Sequence, residues 1–271
     1  MQQTIIKGGN KSLNLNLNEL VQYKDLLFTL ALRDFKVRYA QTFLGLLWGI
    51  LQPLMTLLVF ILVFHFTVKV DTGKIPYPLF ALAGMCSWNY FSNVMSGAGN
   101  SIIGAQGMIQ KIYFPRLIIP LSKALVGLID LAIVLIMFFI LMIIYRYPLS
   151  VNIIFLPLFL LISIISSLAV GIWLSALTIR YRDFQFIVPF MVQFGLYATP
   201  IAYPVTLAKK QFQWIFYLNP MTGVVQGFRW CLLGTEAPNY LCYISFAFIL
   251  LLFVSSLFYF KKTERIMADI V

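Results

Sequence analysis

Residues 153–179 read IIFLPLFLLISIISSLAVGIWLSALTI, and the charge-free run around them extends over Tyr147–Ile179. A helix of about 20 mostly apolar residues is long enough to cross the hydrocarbon core of a bilayer. A chain of 271 residues has no interior large enough to bury several such stretches away from lipid. This stretch therefore predicts a membrane-spanning helix and an integral membrane protein.

The composition of the whole chain supports the same conclusion. Hydrophobic residues make up 61% of the sequence and charged residues 11%, whereas charged residues average about 25% in soluble domains. These proportions exclude a soluble enzyme, a disulfide-rich secreted domain and a disordered chain. The three cysteines and the one histidine lack metal-ligand spacing, so we expect neither a disulfide framework nor a metal site. No secretory signal peptide is evident.

Further apolar stretches predict one membrane domain, residues 43–260, that crosses the bilayer six times. We expect an all-α integral membrane protein with spans near residues 43–68, 79–103, 118–145, 153–179, 184–203 and 240–260. Cytoplasmic loops carry an excess of Lys and Arg. With both termini in the cytoplasm, fourteen basic residues fall on that side and six on the other. This distribution accounts for most of the net charge of +11 without a nucleic-acid partner.

Segments outside the spans carry further information. In the N-terminal segment 1–42, helical spacing over Leu15–Tyr39 predicts an amphipathic helix at the cytoplasmic interface; the alternative is a plain anchor for the first span. Residues 104–117 predict a short cytoplasmic helix that docks a soluble partner, or else an ordinary loop. Residues 204–235 predict two short re-entrant helices on the outer side, or else a seventh and an eighth span. The tail 261–271 is expected in the cytoplasm.

The sequence offers little for catalysis. No phosphate-binding loop and no zinc-protease motif occur in it, so no catalytic residue is expected. Asp130 lies inside the third span, where a carboxylate relays protons, pairs structurally with Lys123, Asn89 or Asn93, or faces a wet cavity. Polar and aromatic side chains on the spans either line a passage for a sugar polymer or pack helices and form an interfacial aromatic belt. The candidates for the lining are Trp48, Gln52, Phe60, Phe64, Tyr90, Phe194, Tyr197 and Tyr203.

A series of motifs, in chain order from about residue 32 to residue 230, resembles a known family. They are LRDFKVRY (32–39), TFLGLLW (42–48), FPR (114–116), YRD (181–183), LNP (218–220) and GFRW (227–230). Together with the six-span layout, they are similar to the motifs of permease subunits of type-2 ABC exporters for polysaccharides.

The resemblance implies a homodimer that pairs with two copies of a separate ABC ATPase. The ATPase would bind ATP and Mg, so that this chain would be a transporter subunit in the cytoplasmic (inner) membrane, without a cofactor of its own. The N-terminal amphipathic helix would be a cytoplasmic gate helix, and the outer short helices would be periplasmic gate helices. The segment that couples to the ATPase would contain Gln110, Lys111, Tyr113, Phe114 and Arg116.

The substrate implied by the resemblance is a lipid-linked polysaccharide, such as O-antigen on a polyprenyl pyrophosphate, or a capsule or teichoic-acid precursor. Arginine forks suit phosphate oxygens, so we expect basic residues at the cytoplasmic mouth to contact the pyrophosphate; positive-inside anchoring is the alternative. These residues are Arg33, Lys36, Arg38, Arg180 and Arg182. Other functions compatible with the sequence are a proton-coupled carrier centred on Asp130, a membrane-embedded transferase, and a related permease for drugs or small lipids.

Overall fold

The computed structural model describes residues 17–40 and 45–270, and every regular element in these ranges is helical. The predicted start of the first span at residues 43–44 and the motif residues 42–44 lie outside these ranges, as do residues 1–16 and 271. The helices are α1 (Leu17–Gln22), α2 (Lys24–Phe35), α3 (Leu47–Phe60), α4 (Tyr77–Gly99), α5 (Ser101–Gly104), α6 (Gln106–Ile109), α7 (Ile118–Ile144), α8 (Leu156–Arg180), α9 (Phe184–Ala198), α10 (Gln213–Phe216), α11 (Pro220–Leu233) and α12 (Cys242–Ile270).

Four helical segments of the described ranges are long and apolar enough to cross a bilayer: Leu47–Thr67, Ile118–Ile144, Val151–Arg180 and Cys242–Glu264. The first consists of α3 and a π-helical continuation over Ile61–Thr67. Exposed apolar side chains cover these segments; Ile143, for example, is 77% exposed. An exposed apolar surface of this kind is stable in contact with lipid but not in contact with water. The chain therefore has the features of a multi-pass membrane protein.

The two remaining predicted spans correspond to helices of a different character. Helix α4 is 23 residues long and is largely buried, because it packs between α7, α8 and α11. It carries polar residues, such as Asn89 and Asn93, which a buried helix accommodates more easily than a lipid-facing one. Helix α9 has 15 residues and exposes an apolar face that includes Phe186 and Phe190.

The core forms around α4, and small residues bring its neighbours close. A Cβ atom added to Gly171 of α8 would lie 2.7 Å from the Cβ of Ala98 on α4. Close backbone approach at small residues is typical of helix packing in membranes. Helix α12 packs mainly against α8, and α2 packs against α7. The buried Leu30 and Ala31 lie on the face of α2 that meets the rest of the chain.

Several expected boundaries differ from the structure. The second span was placed at 79–103, but α4 ends at Gly99, where Asn100 interrupts the helix. The fifth was placed at 184–203, but α9 ends at Ala198, before a turn that contains Pro200. Within 104–117, only Gly104, which ends α5, and the single turn α6 are helical, since the chain leaves helical geometry ahead of Pro115.

The segment 204–235, which is expected on the outer side and is called the outer segment below, also divides more finely than the sequence suggests. Its second piece is a continuous helix, α11, whose first residue, Pro220, follows the cap Asn219; the Asn219 side chain accepts a hydrogen bond from the Met221 amide. Gly234 ends this helix with φ +66°, a conformation that glycine adopts without strain. The first piece breaks into short turns and α10.

Candidate functional site

Asp130, on α7, lies at the centre of a polar cluster beneath the N-terminal helix. Its side chain is 6% exposed and forms an ion pair with Arg38, whose Nη1 lies 2.7 Å from Oδ2. The hydroxyl of Tyr39 donates a hydrogen bond to the other carboxylate oxygen. Asn93 Nδ2, on α4, donates to Oδ2 at 3.1 Å. Three donors from two distant parts of the chain thus satisfy a buried carboxylate.

A second ion pair joins Asp34, which lies four residues before Arg38, to Lys123 of α7. Arg33 also donates to Asp34 Oδ1, from Nη2 at 2.8 Å and from Nε at 3.1 Å. Burial by itself raises the pKa of the Asp34 carboxyl, but the hydrogen bonds and charges of Lys123 and Arg33 outweigh burial and hold that pKa below its ordinary value of 3.8. Asp34 is therefore ionised at neutral pH.

The two ion pairs border a cavity of about 430 Å³ between α2, α4 and α7. Asn93 and Ser96 on α4 and Asn100, which caps its end, recur at intervals of three and four residues, which places them on one side of the helix. The complete lining consists of Asp34, Arg38, Asn93, Ser96, Gly97, Asn100, Lys123, Val126, Gly127 and Asp130. A lining of this kind offers hydrogen-bond donors and acceptors to a polar group inside an otherwise apolar chain.

These contacts bear on the interpretations of Asp130. Asn93 is one of its partners, as one alternative predicted, whereas Lys123 pairs with Asp34 instead. Asn89 does not reach Asp130, and its buried Nδ2 has no hydrogen-bond partner within the described part of the chain. A carboxylate held by a guanidinium, a phenol and an amide has structural partners, and Asp130 also borders the cavity.

The five basic residues expected at the cytoplasmic mouth occupy two parts of the chain. Arg33, Lys36 and Arg38 lie on α2 and on the π-helical stretch Lys36–Ala40 that extends it. The Arg33 and Arg38 side chains are 49% and 42% exposed, although both contact a carboxylate. Arg180 and Arg182 are exposed where α8 turns into α9. The Arg180 guanidinium lies 5.4 Å from the centroid of the Tyr181 ring.

The expected coupling residues follow α6 in a stretch without regular structure. Gln110, Lys111 and Tyr113 are exposed. The Tyr113 hydroxyl donates to Glu19 Oε1 of α1 at 3.4 Å. Burial and the nearby Glu19 carboxylate raise the pKa of this phenol. The stretch after α6 thus contacts α1, the helix that directly precedes α2.

Arg116 ties the same stretch to the C-terminal helix. Its backbone amide donates to Glu264 Oε1 at 3.3 Å, and its Nη1 donates to the Glu264 carbonyl at 2.9 Å. Phe114 is only 4% exposed. Its ring packs in the hydrophobic core and holds the segment against the helices.

The candidate channel residues divide into exposed and buried sets. The exposed set consists of Trp48 and Gln52 on α3 and Phe194 and Tyr197 on α9. Phe64 and Tyr203 are half-buried, and their ring centroids lie 6.2 Å apart. Phe60 and Tyr90 are 1% and 0% exposed. Their expected role as lining is corrected here: both rings pack in the core, and the Tyr90 hydroxyl donates to the Ala124 carbonyl at 3.2 Å.

The sequence analysis included one arginine of the outer segment in the motif GFRW (227–230) but did not predict that it is buried. Arg229, on α11, is 4% exposed. Its guanidinium donates to the carbonyls of Phe80, at 3.3 Å, of Pro200, at 2.9 Å, and of Ile201. It also lies 3.6 Å from the centroid of the Phe80 ring. This arrangement clamps the turn after α9 to the start of α4.

Asp34, Tyr39 and Glu264 were likewise missed as partners. A signal existed for Asp34: it is the one acid in the basic stretch LRDFKVRY, and Lys123 inside an apolar stretch needs a counter-charge. The pairing itself could not be found, because the two residues are 89 positions apart.

Comparison with known proteins shows similarity over most of the chain. A family model described as "ABC-2 type transporter" matches residues 25–233. The chain is 27% identical over 253 residues to the O-antigen export system permease protein RfbA of Myxococcus xanthus, with 92% of this chain and 96% of the relative covered. It is 28% identical to a protein of the same name from Klebsiella pneumoniae, at 91% and 95% coverage. It is 25% identical to the polysialic acid transport protein KpsM of Escherichia coli, at 89% and 94% coverage.

Proposed function

Because the chain belongs to the ABC-2 type transporter family, we propose that it is the membrane-spanning permease subunit of an ATP-driven exporter of a lipid-linked polysaccharide. The observation that carries this proposal is the end-to-end similarity to permeases named for O-antigen export. O-antigen on a polyprenyl pyrophosphate is the substrate we favour. Similarity to a polysialic acid transport protein keeps a capsule or teichoic-acid exporter of the same class as the alternative.

ATP hydrolysis would come from a separate ABC ATPase, which would bind ATP and Mg. This division is supported by the absence of a phosphate-binding loop from the sequence. We propose that Gln110, Lys111 and Tyr113 face the ATPase, since these side chains are exposed, while Arg116 and Phe114 anchor the segment to the body of the permease. Movement of the ATPase would then reach α1 through the contact between Tyr113 and Glu19.

The cationic residues at the mouth would receive the pyrophosphate. Arg33, Lys36, Arg38, Arg180 and Arg182 are all at least partly exposed, and arginine binds phosphate oxygens through two parallel hydrogen bonds. In this proposal α2 and its extension to residue 40 form a gate helix, and we use that name for residues 24–40 below.

The membrane arrangement completes the proposal. We propose six spans, with α4 and α9 joining the four segments named above, both termini in the cytoplasm, and residence in the inner membrane. The short outer helices α10 and α11 would form the periplasmic gate. A second copy of the chain would cover α3 and α9, and the glycan would slide between the copies along Trp48, Gln52, Phe194 and Tyr197, whose exposed side chains suit stacking and hydrogen bonding to sugars. Phe64 and Tyr203 would extend this lining outward.

The test is complementation of a strain that lacks the gene. We expect the deletion to abolish surface polysaccharide and to accumulate lipid-linked glycan inside the cell, and the wild-type chain to restore export only together with its ATPase. Arg38→Gln should lower export several-fold. Lys74→Gln removes an exposed charge on the expected outer side and serves as the matched control. Normal export by the deletion strain, or export by this chain without any ATPase, would refute the proposal.

A further inference from the structure

The gate helix is fastened to α7 by two ion pairs of opposite direction. The gate helix supplies an acid, Asp34, and four residues later a base, Arg38. Helix α7 supplies a base, Lys123, and then an acid, Asp130. Sliding the gate helix by one turn would place like charges against each other. The pattern therefore specifies a single docked position of the gate helix.

The same pattern cancels the charge of the cavity that lies between these groups. Arg38 and Lys123 are two cations of the lining, and the two carboxylates already occupy both of them. A carboxylate accepts the same charge-assisted hydrogen bonds as a phosphate oxygen. In the docked state, Asp34 and Asp130 thus stand where an anionic ligand would bind.

Exchange of partners is feasible because neither pair is sealed from solvent. The Arg38 and Lys123 side chains are 42% and 19% exposed, and the cavity of about 430 Å³ opens beside them. The partial exposure of both cations gives an incoming anion access to them, and Asp130 keeps its hydrogen bond from Asn93 when Arg38 leaves. Asn93, Ser96 and Asn100 also line the cavity and add uncharged hydrogen-bonding groups that an incoming polar group could contact.

We propose that Asp34 and Asp130 form an internal latch that a phosphate-bearing lipid headgroup releases by taking over Lys123 and Arg38. The proposal rests on the proposed function, whose substrate carries a pyrophosphate, and adds to it how the gate helix responds to that substrate. A diphosphate carries more negative charge than one carboxylate and competes with Asp34 for Lys123 and with Asp130 for Arg38. The gate helix then loses its two ion pairs with α7. The hydrogen bond from Tyr39 to Asp130 remains, but the helix is held less tightly against α7.

The experiment measures amide hydrogen exchange of residues 24–40 in the full chain reconstituted in lipid nanodiscs. The probes are undecaprenyl pyrophosphate, undecaprenol with the same tail and no charge, and inorganic pyrophosphate without a tail. Binding of each probe is measured separately, with radiolabelled ligand. We expect undecaprenyl pyrophosphate to accelerate exchange about tenfold, which corresponds to about 1.4 kcal/mol in the opening equilibrium, and undecaprenol to leave it unchanged. If inorganic pyrophosphate by itself accelerates exchange of residues 24–40, the phosphate groups are sufficient to release the gate helix. The lipid tail of undecaprenyl pyrophosphate then contributes only to binding affinity.

Variants test the latch without ligand. Asp34→Asn should accelerate exchange of the gate helix to a similar extent, because Lys123 loses its partner. Asp25→Asn is the matched control: it removes the same charge from the same helix at an exposed position, and no ion pair of the described side chains involves it. The reversed pair Asp34→Lys with Lys123→Asp should restore slow exchange, which separates loss of the ion pair from loss of fold.

The outcomes separate the latch from the proposed function. If undecaprenyl pyrophosphate binds and exchange of residues 24–40 does not change, the latch is refuted while the proposed function stands. If undecaprenyl pyrophosphate does not bind, both the pyrophosphate contact and the latch are refuted. Equal acceleration by undecaprenol would assign the effect to the tail, and equal exchange in Asp34→Asn and Asp25→Asn would show that the ion pair does not hold the helix; either result overturns the latch.

Discussion

The clamp formed by Arg229 leads to a prediction about stability. Its guanidinium donates to three carbonyls, including those of Pro200 and Ile201, and it stacks on the ring of Phe80. Within the described side chains, no carboxylate pairs with it. Arg229→Met fills a similar volume and removes every donor, so the variant isolates the hydrogen bonds of the clamp.

The expected cost follows from these contacts. A hydrogen bond from a charged group contributes about 1.5–3 kcal/mol, and a carbonyl left unsatisfied in a buried site costs about 1–3 kcal/mol. Removing the buried charge itself is favourable and offsets part of the loss. We therefore expect Arg229→Met to destabilise the protein by about 3–5 kcal/mol. Arg229→Lys keeps the charge but lacks the planar fork, and should cost about 2 kcal/mol.

The assay is thermal unfolding of the purified protein in detergent, followed by tryptophan fluorescence. In a chain of this size, 1 kcal/mol shifts Tm by about 2–4 °C, so Arg229→Met should lower Tm by at least about 6 °C. Lys209→Met, an exposed basic residue in the same outer segment, is the control and should change Tm little. A Tm for Arg229→Met equal to that of Lys209→Met would refute the clamp.

Three further predictions concern packing, coupling and pH. Gly227→Ala should lower Tm, because the added Cβ overlaps the ring of Phe159. Glu264→Gln should reduce glycan exported per ATP hydrolysed, since the coupling segment loses a charged anchor on α12. The Asp34 carboxyl, whose pKa is lowered, should give no protonated band in infrared spectra at pH 5. Its contribution to stability is complete above its unfolded pKa of about 3.8 and is lost as the pH falls through the lower folded value.

Each of these predictions has a control. Gly107→Ala adds a Cβ with nothing within 4 Å and should leave Tm unchanged; an equal loss in both glycine variants would contradict the packing argument. Glu236→Gln removes an exposed outer acid and should not alter coupling. Asp34→Asn identifies the infrared band, and a band assigned to Asp34 at pH 5 would contradict the lowered pKa.

The sequence alone determined that this is a multi-pass helical membrane protein, and its motifs identified the family that the comparisons confirm. Both conclusions depend on local information. A span is decided by the summed apolarity of about 20 consecutive residues, and segments such as Ile118–Ile144 carry that signal whatever they pack against.

Only the tertiary structure decided which charges meet. Arg38 and Asp130 are 92 positions apart, and no periodicity connects them; helix packing brings them together and assigns Lys123 to Asp34 instead. Packing also separated the exposed Trp48 from the buried Tyr90, although both are aromatic residues on predicted spans. The reason is physical: apolarity sums along one helix, whereas the partner of a buried charge or ring depends on segments that the folded chain places beside it.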